Sequence, residues 1–138
     1  KGAVQVFARD AIGLEERVVL QAGSGLWVNG GTRWRSVRLG ENCRVDGYVV
    51  VRGNTEQPQS PYAHYHQPSS AVVRGLVYVD GIADVRGVVE GSLYAGELCH
   101  FASEGYYADL FYNVSVCRSP GTVYPFLIKG PVERREVK

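Results

Sequence analysis

The chain has 138 residues, the size of one domain, with 45% hydrophobic and 21% charged residues, a balance that excludes a disordered or fibrous protein. Its 15 Lys and Arg stand against 14 Asp and Glu, and a net charge so near zero gives no support to nucleic-acid binding. No apolar run approaches the roughly 18 residues that cross a bilayer, so no transmembrane segment is expected. The 17 glycines exceed the roughly 10 that average usage would give, and that excess points to tight backbone bends. With no Met in the chain, Lys1 is read as the product of processing or trimming.

In chain order, residues 1–24 offer two strand-like stretches, VQVF and RVVL, around a turn at Leu14-Glu15-Glu16. They are read as an N-terminal irregular coil or cap. Residues 25–101 hold a repeat. Leu26-Trp27-Val28-Asn29-Gly30, Val49-Val50-Val51-Arg52-Gly53, Val77-Tyr78-Val79-Asp80-Gly81 and Leu93-Tyr94-Ala95-Gly96-Glu97 look alike and start 23, 28 and 16 residues apart. A constant motif at unequal spacing indicates one structural unit with loops inserted between copies.

A finer period lies inside the unit. From Val73 the chain reads VRGLVY, VDGIAD, VRGVVE, and from Leu39 it reads LGENCR, VDGYVV, VRGNTE. First and fifth positions (Val73, Val77, Val79, Ala83, Val85 and Val89; Leu39, Cys43, Val45, Val49, Val51 and Thr55) carry apolar or small residues, and third positions are mostly Gly. No helical spacing explains this, whereas short extended segments separated by bends do. The expected fold is therefore all-β: a single-domain parallel β-helix, or solenoid, in which about three faces close each coil. First and fifth positions point inward and stack from coil to coil, because one coil cannot bury its inner face alone. A glycine-rich β-sandwich is the competing reading.

Residues 54–71, NTEQPQSPYAHYHQPSSA, are polar and hold three of the six prolines, so they are read as a loop insertion leaving the stack. Residues 102–130 carry Tyr106, Tyr107, Phe111, Tyr112, Tyr124 and Phe126 and are read as an aromatic C-terminal cap over an open solenoid end. The tail 131–138 is charged.

Chemistry-bearing residues are sparse. His64-Tyr65-His66 sits in the inserted loop; if extended, the two histidines share a face, as a metal-chelating pair would, with His100 as a further candidate ligand. No spacing fixes a third ligand, so no metal site is assigned and no cofactor is expected. Tyr62, His64, Tyr65 and His66 are equally suited to contact a sugar or a protein partner. Tyr78 and Tyr94 occupy the same place in successive repeats, so an outward two-member aromatic ladder is expected there, with Tyr78 exposed. Asp80 and Asp84, with Arg74 and Arg86, could form a surface row on one coil face. Cys43, Cys99 and Cys117 lack CxxC spacing; buried thiols are favoured over a Cys99–Cys117 disulfide. No catalytic residue is assigned.

Residues 44–53, RVDGYVVVRG, and 72–98, VVRGLVYVDGIADVRGVVEGSLYAGEL, resemble the bactofilins, bacterial polymer-forming cytoskeletal proteins. That family repeats a V-x-G-x-I/L-x-A/V pattern, and here Val73 to Val79 recurs as Val89 to Ala95, 16 residues on. The resemblance implies a compact right-handed β-helix and a non-enzymatic scaffold that assembles end to end with itself or with another envelope or cytoskeletal protein. It also implies a bacterial cell-envelope setting. LGENCR resembles the hexapeptide repeat of left-handed β-helices, but coils near 16 residues favour the right-handed form. The alternative function is a surface carbohydrate-binding or carbohydrate-processing β-helix.

Overall fold

The computed structural model describes residues 2–31, 36–53, 65–110 and 113–118. Among them there is no helix, and the strands in order are β1 (Gln5–Ala8), β2 (Ile12–Gly13), β3 (Val19–Gly31), β4 (Val37–Arg38), β5 (Arg44–Gly53), β6 (Tyr65–Gln67), β7 (Val72–Val85), β8 (Val88–Ala102), β9 (Gly105–Ala108) and β10 (Ser115–Cys117). All pairings but one are parallel: β1–β3–β5–β7–β8–β10 on one side and β2–β4–β6–β7 on the other. The exception is β8–β9, an antiparallel hairpin. Strand β7 belongs to both sides. Its residues 72–79 pair with β5 and its residues 83–85 with β6, so the chain bends within the strand and winds round. Parallel neighbours joined by successive turns of one chain make a solenoid-like sheet, consistent with a β-helix, and the sandwich reading is set aside.

The repeat predicts the register. Leu26 lies beside Val49, Val49 beside Val77 and Val77 beside Leu93, so the four look-alike segments are stacked rungs of one sheet. A fifth rung, Val6-Phe7-Ala8, pairs with Leu26-Trp27-Val28 and extends the ladder into the segment expected to be irregular. Successive side chains on a strand alternate between faces, so inward residues align in columns: Val6, Leu26, Val49, Val77 and Leu93 in one, and Ala8, Val28, Val51, Val79 and Ala95 in the next. A column of Ile12, Val37, Tyr65, Ala83 and Leu98 faces them from the other side.

Among the described hexad positions, every first and fifth residue is buried and joins one core: Leu39, Cys43, Val45, Val49, Val51, Val73, Val77, Val79, Ala83, Val85 and Val89. Each valine contributes roughly 1.5–3 kcal/mol as an upper figure, and the coils close because these contributions accumulate along the stack.

Bends have specific causes. Gly75 and Gly91 adopt φ of 145° and 151°, a region closed to residues with a side chain. They stack on Gly47, and a Cβ on Gly75 or Gly91 would stand 1.8 or 1.9 Å from the carbonyl oxygen of the preceding coil's glycine. At the turn leading back to the first side, Arg17 and Asn42 repeat a left-handed conformation in successive coils (φ 61° and 57°), and the Asn42 amide donates to Ser70 Oγ at 2.8 Å.

The inserted segment rejoins the stack earlier than its composition suggests. Tyr65–Gln67 is strand β6, with Tyr65 and Gln67 buried, so this part of the expected 54–71 excursion belongs to the stack, while residues 54–64 lie outside the described residues. Its polar look misleads because Gln67 is fully satisfied inside. Its Nε2 donates to the carbonyls of Ala71 and Val88 at 3.0 Å each, and its Oε1 accepts from the Tyr65 hydroxyl at 3.0 Å, so burial leaves no bare polar atom. Of the expected cap, the described part is the β8–β9 hairpin and β10, which adds parallel to Val88–Glu90.

Candidate functional site

With the interior occupied by packing, the chemistry lies on the outward positions. On the β6 side the outward residues of neighbouring coils are Arg38, His66 and Asp84 in register. Asp84 is only 2% exposed, a burial that an ionised carboxylate tolerates only with partners. It has three such bonds: Arg86 Nε to Oδ1 at 3.0 Å, Arg86 Nη2 to Oδ2 at 2.9 Å and His66 Nδ1 to Oδ2 at 2.9 Å. Burial pushes the Asp84 carboxyl up, but the hydrogen bonds and charges of His66 and Arg86 outweigh it and hold the group below its ordinary value. Facing an ionised carboxylate, His66 must carry its proton on Nδ1. Arg86 Nη2 also donates to the Phe101 carbonyl at 2.6 Å. The set therefore ties β6, β7 and β8 together as an ionic clamp across coils.

His66 also lines a shallow cleft of about 180 Å³ with Glu15, Glu16, Arg38, Glu41 and Pro68. Glu41 accepts from the Ser70 hydroxyl.

The expected surface row of Asp80, Asp84, Arg74 and Arg86 does not form as one feature. Asp84 is buried against Arg86, whereas Asp80 pairs with Arg52 at 3.6 Å and Arg74 with Glu90 at 2.7 Å. The bend within β7 separates these residues between two sides.

On the other side, outward positions carry rings. Phe7, Trp27, Val50, Tyr78 and Tyr94 are register partners across five successive rungs. Phe7 and Trp27 have ring centroids 6.3 Å apart and Tyr78 and Tyr94 6.4 Å, both pairs tilted, within the usual range for favourable aromatic pairs. Between them Val50, in the same register, is buried at 1% exposed, while Phe7 and Tyr94 at the ends are 67% and 54% exposed. Tyr78 is half-buried rather than exposed, since Tyr94 and Val50 flank it. A hydrogen bond with Asp80 and then burial raise its phenol pKa.

The predicted Tyr78–Tyr94 ladder is thus present and longer than two rungs. Phe7 and Trp27 were missed, although Trp27 stands second in Leu26-Trp27-Val28 as Tyr78 does in Val77-Tyr78-Val79. That shared position was the available signal.

The loop candidates fare differently. Tyr62 and His64 lie outside the described residues. Tyr65 is completely buried and points inward, so it cannot be a surface ligand contact; its alternation with outward His66 decides this. His100 stands on β8 beside Tyr107, rings 6.5 Å apart. Among the described residues no group of three or more His, Cys, Asp or Glu side chains is gathered to hold a metal ion. All three cysteines are free: Cys43 and Cys99 are buried and Cys117 exposed, so Cys99 and Cys117 are not bridged. Burial, then the charges of Asp84 and Glu97, push the Cys99 thiol up to about 12. No described helix is long and apolar enough to cross a membrane.

No family model, no curated protein and no solved structure matches this chain.

Proposed function

We propose that the chain is a non-enzymatic structural module, a right-handed β-helix of bactofilin type that works by assembly through its coil ends. Its partner is another copy or another envelope or cytoskeletal protein, and the β8–β9 hairpin with β10 modulates the C-terminal end as a partial cap. One observation carries the reading: both ends of the stack present the same inward columns. Val6 and Ala8 stand at one end, and Leu93, Ala95 and Leu98 at the other, all only partly buried. At the C-terminal end Leu93, Ala95 and Leu98, with Tyr94 and Val116, line an apolar cavity of about 440 Å³. An incoming coil would continue these columns and remove that apolar surface from water, which is the interaction that holds each coil to the next.

Sedimentation velocity over a wide concentration range, with electron microscopy of the same samples, tests the proposal. Concentration-dependent growth into linear particles is expected, reduced in Leu93→Asn with its β-sheet circular dichroism retained. A particle that stays monomeric at every concentration contradicts it.

A further inference from the structure

We infer that the outward row formed by Phe7, Trp27, Tyr78 and Tyr94 is a binding surface for a linear, β-linked polysaccharide lying along the stack. This goes beyond the assembly reading, since it uses a coil side, with Tyr94 as the one residue shared with the end cavity.

The argument begins with direction. Neighbouring strands are roughly 4.8 Å apart, so five rungs set rings along a line of about 19 Å across the strands. The members follow one another rung by rung because each is fixed by parallel register. A compact ligand would use one pair of rings. Only an extended chain could engage both pairs across the buried Val50 between them.

Chemistry narrows the ligand further. A pyranose ring with equatorial substituents has an apolar C–H face, which packs on an aromatic face, and a rim of hydroxyls that both donate and accept. The row matches both parts. The rings supply apolar aromatic surface, and polar side chains border it on each side. Asn29, Arg52 and Asp80 stand two residues further along the same strands, with Arg52 and Asp80 in a long 3.6 Å pair and 58% and 21% exposed. On the opposite flank the Tyr48 hydroxyl donates to Gln5 Oε1, and both groups keep further hydrogen-bonding capacity. Aromatic bodies bordered by a few fixed polar groups are the usual composition of sites for ligands that are partly apolar and partly hydroxylic. A β-linked chain is flat and extended, as the row requires, whereas an α-linked glucan coils away from such a row.

The test is retention of the purified full chain on insoluble cellulose, chitin and peptidoglycan, with granular starch as the α-linked comparison. Retention is expected on at least one β-linked polymer and not on starch. Tyr94→Ala, at an exposed position, and Trp27→Ala, with folding checked by circular dichroism, are each expected to weaken it by about tenfold or more. Leu93→Asn, altered at the end cavity, should still bind. Absence of retention on all three β-linked polymers overturns the proposal, as does equal retention of wild type and Tyr94→Ala. If Trp27→Ala, away from the end cavity, instead abolishes self-association while the wild type binds no polymer, the row is a contact between copies and the inference fails.

Discussion

The two sides of strand β7 present a controlled contrast within one chain. Residues 72–79 and 82–85 share the same inner chemistry, with Val73, Val77, Val79, Ala83 and Val85 all buried in one core. Outside they differ. The first side carries Tyr78 in a row of rings, and the second carries Asp84 in a cluster of charges. The interior is constrained by stacking, because each inward residue must fit the residue above and below it. The exterior escapes that constraint: a ring ladder and an ionic clamp are both compatible with the same stacked coils. Specific recognition can therefore differ between sides without changing the fold.

The largest effect should come from breaking what the two sides share. Val77→Asp puts an unpaired carboxylate at a position with no solvent access, costing upwards of about 4 kcal/mol. No cooperative thermal transition should then be seen; a melting curve like wild type would mean that the inward columns are misplaced. Gly75→Ala attacks the bend instead. Its Cβ would meet the Gly47 carbonyl at 1.8 Å with φ at 145°, so a loss of about 3 kcal/mol in urea unfolding is expected. Loss below about 0.5 kcal/mol would show that the bend is not held by this glycine column.

A smaller effect should distinguish the sides. Asp84→Asn removes the charge shared by His66 and Arg86, and with both partners partly exposed the cost is about 2 kcal/mol. The pH dependence has a definite sign. Because the folded-state pKa of Asp84 is lowered, its stabilisation is present above the unfolded value of about 3.9 and lost as pH falls through the lower folded value. Urea midpoints of wild type and Asp84→Asn should therefore converge as pH falls below about 4. A constant gap down to the folded value would remove the clamp from the account. The aromatic side offers the comparison: Tyr94→Ala should shift stability by no more than about 0.5 kcal/mol.

This contrast also explains what the sequence made legible. The inward register could be read directly, since Val73, Val79 and Val85 repeat a constraint that every coil imposes. The outward features were only partly readable. Tyr78 and Tyr94 were found because two coils happen to place tyrosine alike, but Val50 interrupts the row and hides its continuation to Trp27 and Phe7. The Asp84 clamp was unreadable, because His66 and Asp84 are 18 residues apart and meet only once β6 is recognised as a strand. Tyr65-His66-Gln67 concealed that strand behind polar residues whose hydrogen bonds become satisfied only in the fold. Ser24 illustrates the same difficulty. It stands in the column of Gly47, Gly75 and Gly91 and its hydroxyl accepts from the Val4 amide at 3.2 Å, so the column begins on a residue that no glycine pattern selects.

Inter-strand nuclear Overhauser contacts in isotope-labelled protein test the winding most directly. Backbone contacts linking residue 49 to 77 and 77 to 93, with partner numbers rising together along each strand, are the predicted result. Contacts in which one number rises as the other falls between 44–53 and 72–79 would contradict a chain wound into stacked parallel coils.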